Sequence, residues 1–422
     1  MVNILVLPGT TLVAREICHS LSLTKEIQLF GAGYDLSAAQ EFPYCRFDFL
    51  GALDQLDLID DIEEIVFRHK IDQVIFAHDS WIFHFRNLDF IGKARIMKNT
   101  SASIEISSFK SLTYDTLRGI VPTPLVFKSL EDVSDFPVFL KPDRGQGAVG
   151  SSKIHSLIEL ETYVDDKGFF DTEWIVSEHL PGAEFTIDCF SGSNGKLLYS
   201  SPRIRISIES GLATETRLIQ YPELSTWARL ISQKIKIQGA WFFQAKEDSN
   251  GSLKLMELGL RIAGGSGVQR LKGVNLSQLN VWQSRGEKIE IIDQHFFPHK
   301  YVDSKNLDFD FQQIYVDYDD TLLIGPSLNY SLVEFLEVSR EQGIGIVLIT
   351  RHSGDVAKSL ELFNLGHLFS RIIHITTGEP KSKYIDSTVN FLFIDDSFRE
   401  RKDVWIQFGS QVLVLDESFM MG

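Results

Sequence analysis

Residues 241–267 read WFFQAKEDSNGSLKLMELGLRIAGGSG, and this stretch decides how the middle of the chain folds. Two largely apolar runs flank Asn250-Gly251. That dipeptide suits a tight turn because both residues tolerate positive φ, so a β-hairpin is expected. On adjacent strands of such a hairpin Gln244 and Glu257 converge, with Arg261 just beyond. An amide oxygen and a carboxylate arriving together suit Mg²⁺, a hard cation that takes oxygen ligands. Arg261 is then placed to grip a phosphoryl group in transfer.

Three earlier segments extend the pattern. FPVFLKPDRGQGAVGSSKI (136–154) is a strand ending in Lys141, followed by a loop with Gly145, Gly147 and Gly150 before Ser151. Glycines let the backbone come close to oxygen atoms, and successive N–H groups can cradle a phosphate. WIVSEHLPGAEFTIDCF (174–190) delivers Glu178 on a strand and Glu184 after a Pro-Gly turn. SSFKSLTYDTLRGIVPTP (107–124) is a helix carrying Lys110 and ended by Gly119. Singly, each is ordinary: a lysine on a helix is usually solvated, and a Gly-rich loop is usually a turn. Together and in this order they point to one nucleotide site.

The four elements resemble the ATP-grasp superfamily across residues 91–297, nearest its carbamoyl-phosphate-synthase-like and amino-acid-ligase members. The resemblance implies that Lys110 and Lys141 contact the ATP phosphates and that the loop from Arg144 to Ser151, with Gly145, Gly147 and Gly150, covers them. It implies that Glu178 and the backbone at His179 and Leu180 bind adenine, that Glu184 binds ribose, and that Gln244 and Glu257 hold Mg²⁺, or Mn²⁺ in its place. Arg261 takes the transferring phosphoryl group. RIAGGSG and LKGVNL continue the family's usual run, but Glu257-Leu258-Gly259-Leu260-Arg261 has glycine where the family has asparagine, implying weakened or altered metal binding. Arg203 and Arg205, in SSPRIRISIES (200–210), are candidates for holding the acyl substrate's carboxylate. A charged, protected strand edge is the other reading of this pair.

Before this region, VNILVL, EIQLFGAG and IDQVIFAH read as strands and LVAREICHSL and LIDDIEEIVFRHK as amphipathic helices. Alternation of this kind predicts a parallel α/β unit over residues 1–90, which the resemblance makes a Rossmann-like pre-ATP-grasp domain. After it, the polar run at 298–310 reads as a linker, and residues 311–422 return to strand–helix alternation.

The last region holds the sharpest local motif. IYVDYDDTLL ends a strand in Asp317 and follows it with Asp319, Asp320 and Thr321. Carboxylates crowded at a strand end cost energy unless a cation neutralises them. IGIVLITRH ends a second strand in Thr350, EPKSKYI supplies Lys381 and Lys383, and VNFLFIDDS ends a further strand in Asp395 and Asp396. The set resembles the haloacid dehalogenase (HAD) superfamily. It implies Asp317 as nucleophile, Asp319 as general acid and base, Thr350 and one lysine (Lys381 ahead of Lys383) on the phosphoryl group, and Mg²⁺ held by Asp317, Asp319, Asp395 and Asp396. With no sizeable insertion between Asp317 and Thr350, the site is expected to be open to a large substrate or covered by the ATP-grasp part.

Bulk properties bound the partners. A formal net charge of −16 without a Lys/Arg block argues against nucleic acid. The three cysteines are far apart, as in a reducing compartment, and no apolar run is long enough to span a bilayer, so a cytoplasmic protein with no membrane contact is expected. The expected fold class is multidomain α/β and α+β: Rossmann-like, ATP-grasp and HAD-like. The expected activity joins an acyl-phosphate-forming carboxylate–amine or carboxylate–thiol ligase to a phosphatase. Its partners are a small carboxylate, an amine and a phosphorylated small molecule, and a homodimer is left open. The alternative is an ATP-binding regulatory module, with a degenerate grasp site, that controls the phosphatase.

Overall fold

In the computed structural model of the chain, which describes residues 1–147, 149–167, 173–209, 211–301, 304–307 and 309–421, three bodies follow one another. The first is a six-stranded sheet. Its order is Arg46–Phe49, Ile27–Gly33, Val2–Leu7, Gln73–Phe76, Ala94–Met97 and Phe90–Ile91, parallel except for the last pair. The sheet therefore runs past residue 90, where the sequence suggested its end. Helix Leu12–Leu21 starts at Thr11, whose hydroxyl accepts from Ala14 N, and buries Val13, Ala14, Ile17, Cys18 and Leu21. Helix Leu58–His69 buries Ile62, Ile65 and Val66 at helical spacing and stops at Lys70, which turns left-handed with φ 52°.

Two antiparallel sheets form the middle body. The smaller orders Val126–Phe127, Trp174–Glu178, Val138–Pro142 and Ser152–Ile154, with Val138, Leu140, Ile154, Leu160 and Val176 as its own core. The larger has seven strands, ordered Leu253–Gly259, Gly239–Glu247, Glu184–Ser191, Leu197–Glu209, Leu212–Leu218, His299–Tyr301 and Ser304–Asn306. Helix Pro222–Ile235 covers one face with Leu224, Trp227, Ala228, Ile231 and Ile235. The last two strands correct the expected linker: within 298–310, a short hairpin extends the sheet by pairing His299 with Arg217 and Tyr301 with Glu215. Residues 302, 303 and 308 of that stretch lie outside the described residues, as does Ala148 in the Gly-rich loop.

Residues 311–421 form a five-stranded, fully parallel sheet ordered Arg371–His374, Gly345–Thr350, Gln313–Val316, Phe391–Ile394 and Val412–Leu415. Its central strands are unbroken apolar runs because both faces are covered. The side-chain amide of Gln294 bonds both backbone groups of Val414, donating to the carbonyl and accepting from the N–H, which satisfies the free side of that buried edge strand.

Arg270 locks the three bodies together. It is 1% exposed, and its guanidinium donates to Glu16 twice (3.2 and 3.1 Å), to the carbonyls of His19 (3.1 Å) and Ser418 (2.9 Å), and to that of Met421 (3.0 Å). Those contacts occupy all five of its N–H groups. Val268 and Leu271, from the same turn, enter the core of the last body beside Phe419. Removing one partner from a buried pair leaves the other charge uncompensated. Arg270→Ala is therefore expected to lose about 3–5 kcal/mol, seen as a lower urea midpoint, whereas Arg15→Ala at the exposed pair with Glu41 changes it little.

Candidate functional site

Between the two antiparallel sheets lies a cavity of about 350 Å³. Strand Val138–Pro142 brings Lys141 to its wall, buried, with Nζ 2.9 Å from the Tyr114 hydroxyl. Burial pulls Lys141 down to about 8 against the opposing charge of Glu257. Lys110, at the start of its helix, donates to the carbonyls of Pro142 (3.1 Å) and Gly145 (3.0 Å), so it anchors the base of the Gly-rich loop. Gly145, Gly147 and Ser151 line the cavity, whereas Gly150 faces Pro142 and Trp174 instead.

On the far wall the Glu178 carboxylate accepts from Leu125 N (2.8 Å) while its own N–H donates to Leu125 O (2.9 Å), and His179 and Leu180 follow along the cavity. Glu184 also lines it, held by a hydrogen-bonded ion pair with Arg205 and by Lys246 at 3.3 Å. Gln244 and Glu257 face each other across neighbouring strands. Burial pushes Glu257 above the ordinary carboxylate range despite the nearby Lys110. These two oxygen donors fit a hard cation, which would neutralise that strained carboxylate.

Arg261 does not point freely into this cavity. It grips Asp79 of the first body with two bonds, 3.0 and 2.6 Å, donates to Gln146 Oε1 at 3.0 Å, and lies 5.2 Å over the Phe242 ring. Gln146 in turn is hydrogen-bonded to His78. The Gly-rich loop is thus latched onto the first body through Arg261 and through His78 and Asp79, two residues with no signal of their own in the sequence. His78 and Asp79 close the strand IDQVIFAH and open the next helix, a place where Asp usually means only a good helix start.

A second cavity of about 460 Å³ shares Gln244 and Glu257 with the first, takes in Arg261, and runs toward helix Leu12–Leu21. Arg203 and Arg205 line it. Their strand lies between Glu184–Ser191 and Leu212–Leu218, so the reading of an exposed, charge-protected edge is overturned. Arg203 is 2% exposed and donates to Asp188 at 2.9 Å.

Gly259 has a steric reason. A Cβ there would sit 2.3 Å from the Phe242 ring, so an asparagine cannot be accommodated without moving the ring that supports Arg261.

A separate site forms at the C-terminal ends of the parallel strands, where α/β sheets place their chemistry. Asp317 follows the strand Gln313–Val316, Thr350 ends Gly345–Thr350, and Asp395 follows Phe391–Ile394. Lys381 Nζ lies 2.7 Å from both Asp317 Oδ1 and Asp395 Oδ2. Lys383 points outward to Glu379. Burial acts against the charge on Lys381, but Asp395 and Asp317 outweigh it and hold the ammonium protonated above its usual range. Burial and then Asp317 push Asp395 up to about 6, and burial and then Asp395 push Asp396 to about 6. Oxygens of Asp317, Asp395 and Asp396 lie within 4.8 Å of one another. That all-oxygen, electrostatically strained set fits Mg²⁺. Asp319 stands apart from it, with its carboxylate against His352 Nδ1 at 2.9 and 3.1 Å. Asp320 meets Lys25 of the first body at 2.6 Å.

Comparison with known proteins accords with the middle body. A family profile described as "ATP-grasp in the biosynthetic pathway with Ter operon" matches residues 170–303, and one described as "D-ala D-ala ligase C-terminus" matches residues 100–213. The biotin carboxylase domain of 2-oxoglutarate carboxylase from Hydrogenobacter thermophilus superposes with a TM-score of 0.58 at 16% identity, covering 70% of this chain and 73% of that one. The L-amino acid ligase of Bacillus licheniformis gives 0.56 at 17% identity, covering 71% and 79%. The chain has an ATP-grasp fold. The chain is also similar in sequence to the D-alanine–D-alanine ligase of Lacticaseibacillus casei (strain BL23), 40% identical over 77 residues, which are 18% of this chain and 20% of that protein. The match thus spans about a fifth of that relative's length.

Outside the grasp cavity, the carboxylate cluster makes a direct prediction. Between the ordinary carboxylate range and about 6, the folded metal-free protein keeps protons that the unfolded chain has released, so stability falls as pH rises through that window. Mg²⁺ relieves the strain only where the carboxylates are ionised. Thermal denaturation without nucleotide is expected to show a Mg²⁺-dependent rise in Tm that is larger above pH 6 than below it. The rise is lost in Asp395→Asn and kept in Lys383→Ala.

Proposed function

We propose that the chain is an ATP-dependent ligase joining a small carboxylate to an amine, or to a thiol, through an acyl phosphate, with a Mg²⁺-dependent HAD-type phosphatase domain at its C-terminal end. The observation that carries the ligase reading is the meeting of Lys141, Gln244 and Glu257 in one cavity between two antiparallel sheets. The names of similar proteins, a D-alanine–D-alanine ligase and an L-amino acid ligase, favour an amino acid as the carboxylate. Among the described residues no helix is long and apolar enough to cross a membrane, and a cytoplasmic location goes with small soluble substrates.

In this reading adenine lies along Glu178, His179 and Leu180, ribose near Glu184, and the phosphates beneath the Gly-rich loop beside Lys141. Mg²⁺ on Gln244 and Glu257 offsets phosphate charge. The chain's own work is positioning and electrostatics. Lys141 and Arg261 steady the γ-phosphoryl group as it passes to the substrate carboxylate, releasing ADP. The amine then attacks the acyl carbon and phosphate departs. Arg203 and Arg205 hold the acyl substrate in the adjoining cavity, their own partners Asp188 and Glu184 fixing their orientation.

At the other site, Asp317 attacks phosphorus, Thr350 and Lys381 bind the phosphoryl oxygens, and Asp319 exchanges protons with the leaving group and water. Bound at Asp317, Asp395 and Asp396, Mg²⁺ offsets the charge of the phosphoryl group.

One observation favours a second reading, an ATP-sensing module that controls the phosphatase: Arg261 is clamped by Asp79, and Phe242 excludes an asparagine beside Glu257. Reciprocal substitutions separate the two. If the chain is a tandem enzyme, Glu257→Gln cuts amino-acid-dependent ADP release by about 10²–10³-fold and spares aryl-phosphate hydrolysis. Asp317→Asn does the opposite. A wild-type protein that binds ATP without amino-acid-dependent ADP release, and whose Glu257→Gln variant alters aryl-phosphate hydrolysis, favours the sensor.

A further inference from the structure

His352 lies outside every role assigned so far, yet each of its polar atoms is committed. Its backbone N–H donates to Thr350 Oγ1 at 3.1 Å, and its carbonyl lies 2.8 Å from His374 Nε2. Its ring Nε2 meets Ser359 Oγ at 3.0 Å, and its Nδ1 faces both oxygens of Asp319 at 2.9 and 3.1 Å. Tyr318 packs edge-on against the ring at 5.1 Å, while its hydroxyl bonds Ser359 O at 3.4 Å.

The ring is therefore fixed from both ends. The contrast with Asp319 is informative, because that side chain is 47% exposed and the ring is 17% exposed. Asp319 lies on the turn after Asp317 and has no other anchor as firm as this one among the described residues. A carboxylate that must exchange a proton with a leaving group needs a fixed direction, and here an imidazole supplies it. The neutral tautomer suited to the task carries its proton on Nδ1 and accepts the Ser359 hydroxyl at Nε2.

Resting on the phosphatase reading, we propose that His352 is a positioning residue for Asp319, holding its carboxylate toward the leaving-group oxygen through Nδ1–H. In the first step a carboxylate oxygen of Asp317 bonds to phosphorus and the P–O bond to the leaving group breaks, its electron pair staying on the ester oxygen. Asp319 gives that oxygen its proton, and the carboxylate it becomes accepts the His352 Nδ1–H. In the second step water attacks phosphorus, the bond to Asp317 breaks, and Asp319 takes back a proton from the water.

The role predicts a dependence on the leaving group that a structural role does not. p-Nitrophenolate departs without protonation, whereas an alkoxide needs it. In the Mg²⁺-loaded protein, His352→Ala is expected to slow single-turnover release of the alcohol from an alkyl phosphate at least about tenfold, a part of the roughly 10²–10⁴-fold that a general acid contributes. Single-turnover release of p-nitrophenolate, and the acid-quenched phosphoenzyme that forms with it, stay within about threefold of the wild-type rate, because that step needs no proton for the aryl leaving group. His352→Asn, whose amide nitrogen stands near the position of Nδ1, recovers most of the alkyl activity. Equal losses on both esters, or no rescue by asparagine in a folded protein, overturn the assignment of His352 alone. A wild-type protein that cleaves neither ester overturns the phosphatase reading, and this inference with it.

Discussion

The guanidinium of Arg270 is the contact on which the arrangement of the whole chain depends. It is buried where three bodies meet, and it is satisfied only because each contributes: the Glu16 carboxylate and His19 carbonyl from the first, its own turn from the second, and the Ser418 and Met421 carbonyls from the last. A bare buried charge would be prohibitive, so this cation excludes any arrangement in which one body swings away. Asn275 repeats the device with a neutral amide, donating to Ser20 O and Ser418 Oγ. The junction sets Lys25 beside Asp320 at the mouth of the carboxylate cluster, so the first body helps to form the rim of the last body's site. The chain has no sizeable insertion between Asp317 and Thr350, and the neighbour at this rim is the first body, not the ATP-grasp part expected from the sequence.

Both sites rest on the same electrostatic logic, with opposite signs. In the grasp cavity Lys141 and Lys110 are desolvated cations whose pKa burial lowers, so a polyanion restores the charge balance they lack. At the parallel-sheet site the surplus is negative. Asp317 and Asp395 are raised by burial and only partly offset by Lys381, and a divalent cation completes them. Each constellation is a strained cluster held in place by packed strands, as expected where a protein keeps a site ready for a charged ligand.

What was legible in the sequence was whatever rested on local chemistry. Asn250-Gly251 announced the hairpin that pairs Gln244 with Glu257, and the apolar runs ending in Asp317, Thr350 and Asp395 announced strand ends on one edge of a sheet. Hidden features were those set by neighbours distant in sequence. The polar run at 298–310 hid the pairing of His299–Tyr301 with Leu212–Leu218, because an added edge strand needs no apolar alternation of its own. Gly259 reads from the sequence only as a missing ligand, and the reason for the glycine lies on the partner strand, where the Phe242 ring fills the space an asparagine would need. Asp79, Gln146 and His352 carry no local signal: Arg261 and Asp319 give them meaning, and those lie 182, 115 and 33 residues away along the chain.

The central claim, activation of a carboxylate as an acyl phosphate in the grasp cavity, has a direct isotopic test. Amino acids carrying ¹⁸O in the carboxylate are incubated with ATP, Mg²⁺ and the Asp317→Asn variant, which leaves the grasp cavity intact, and the released phosphate is analysed by mass spectrometry. An acyl phosphate passes one carboxylate oxygen to phosphorus, so ADP release that depends on the amino acid is predicted to be matched by one ¹⁸O per phosphate. Amino-acid-dependent ADP release with unlabelled phosphate would contradict it.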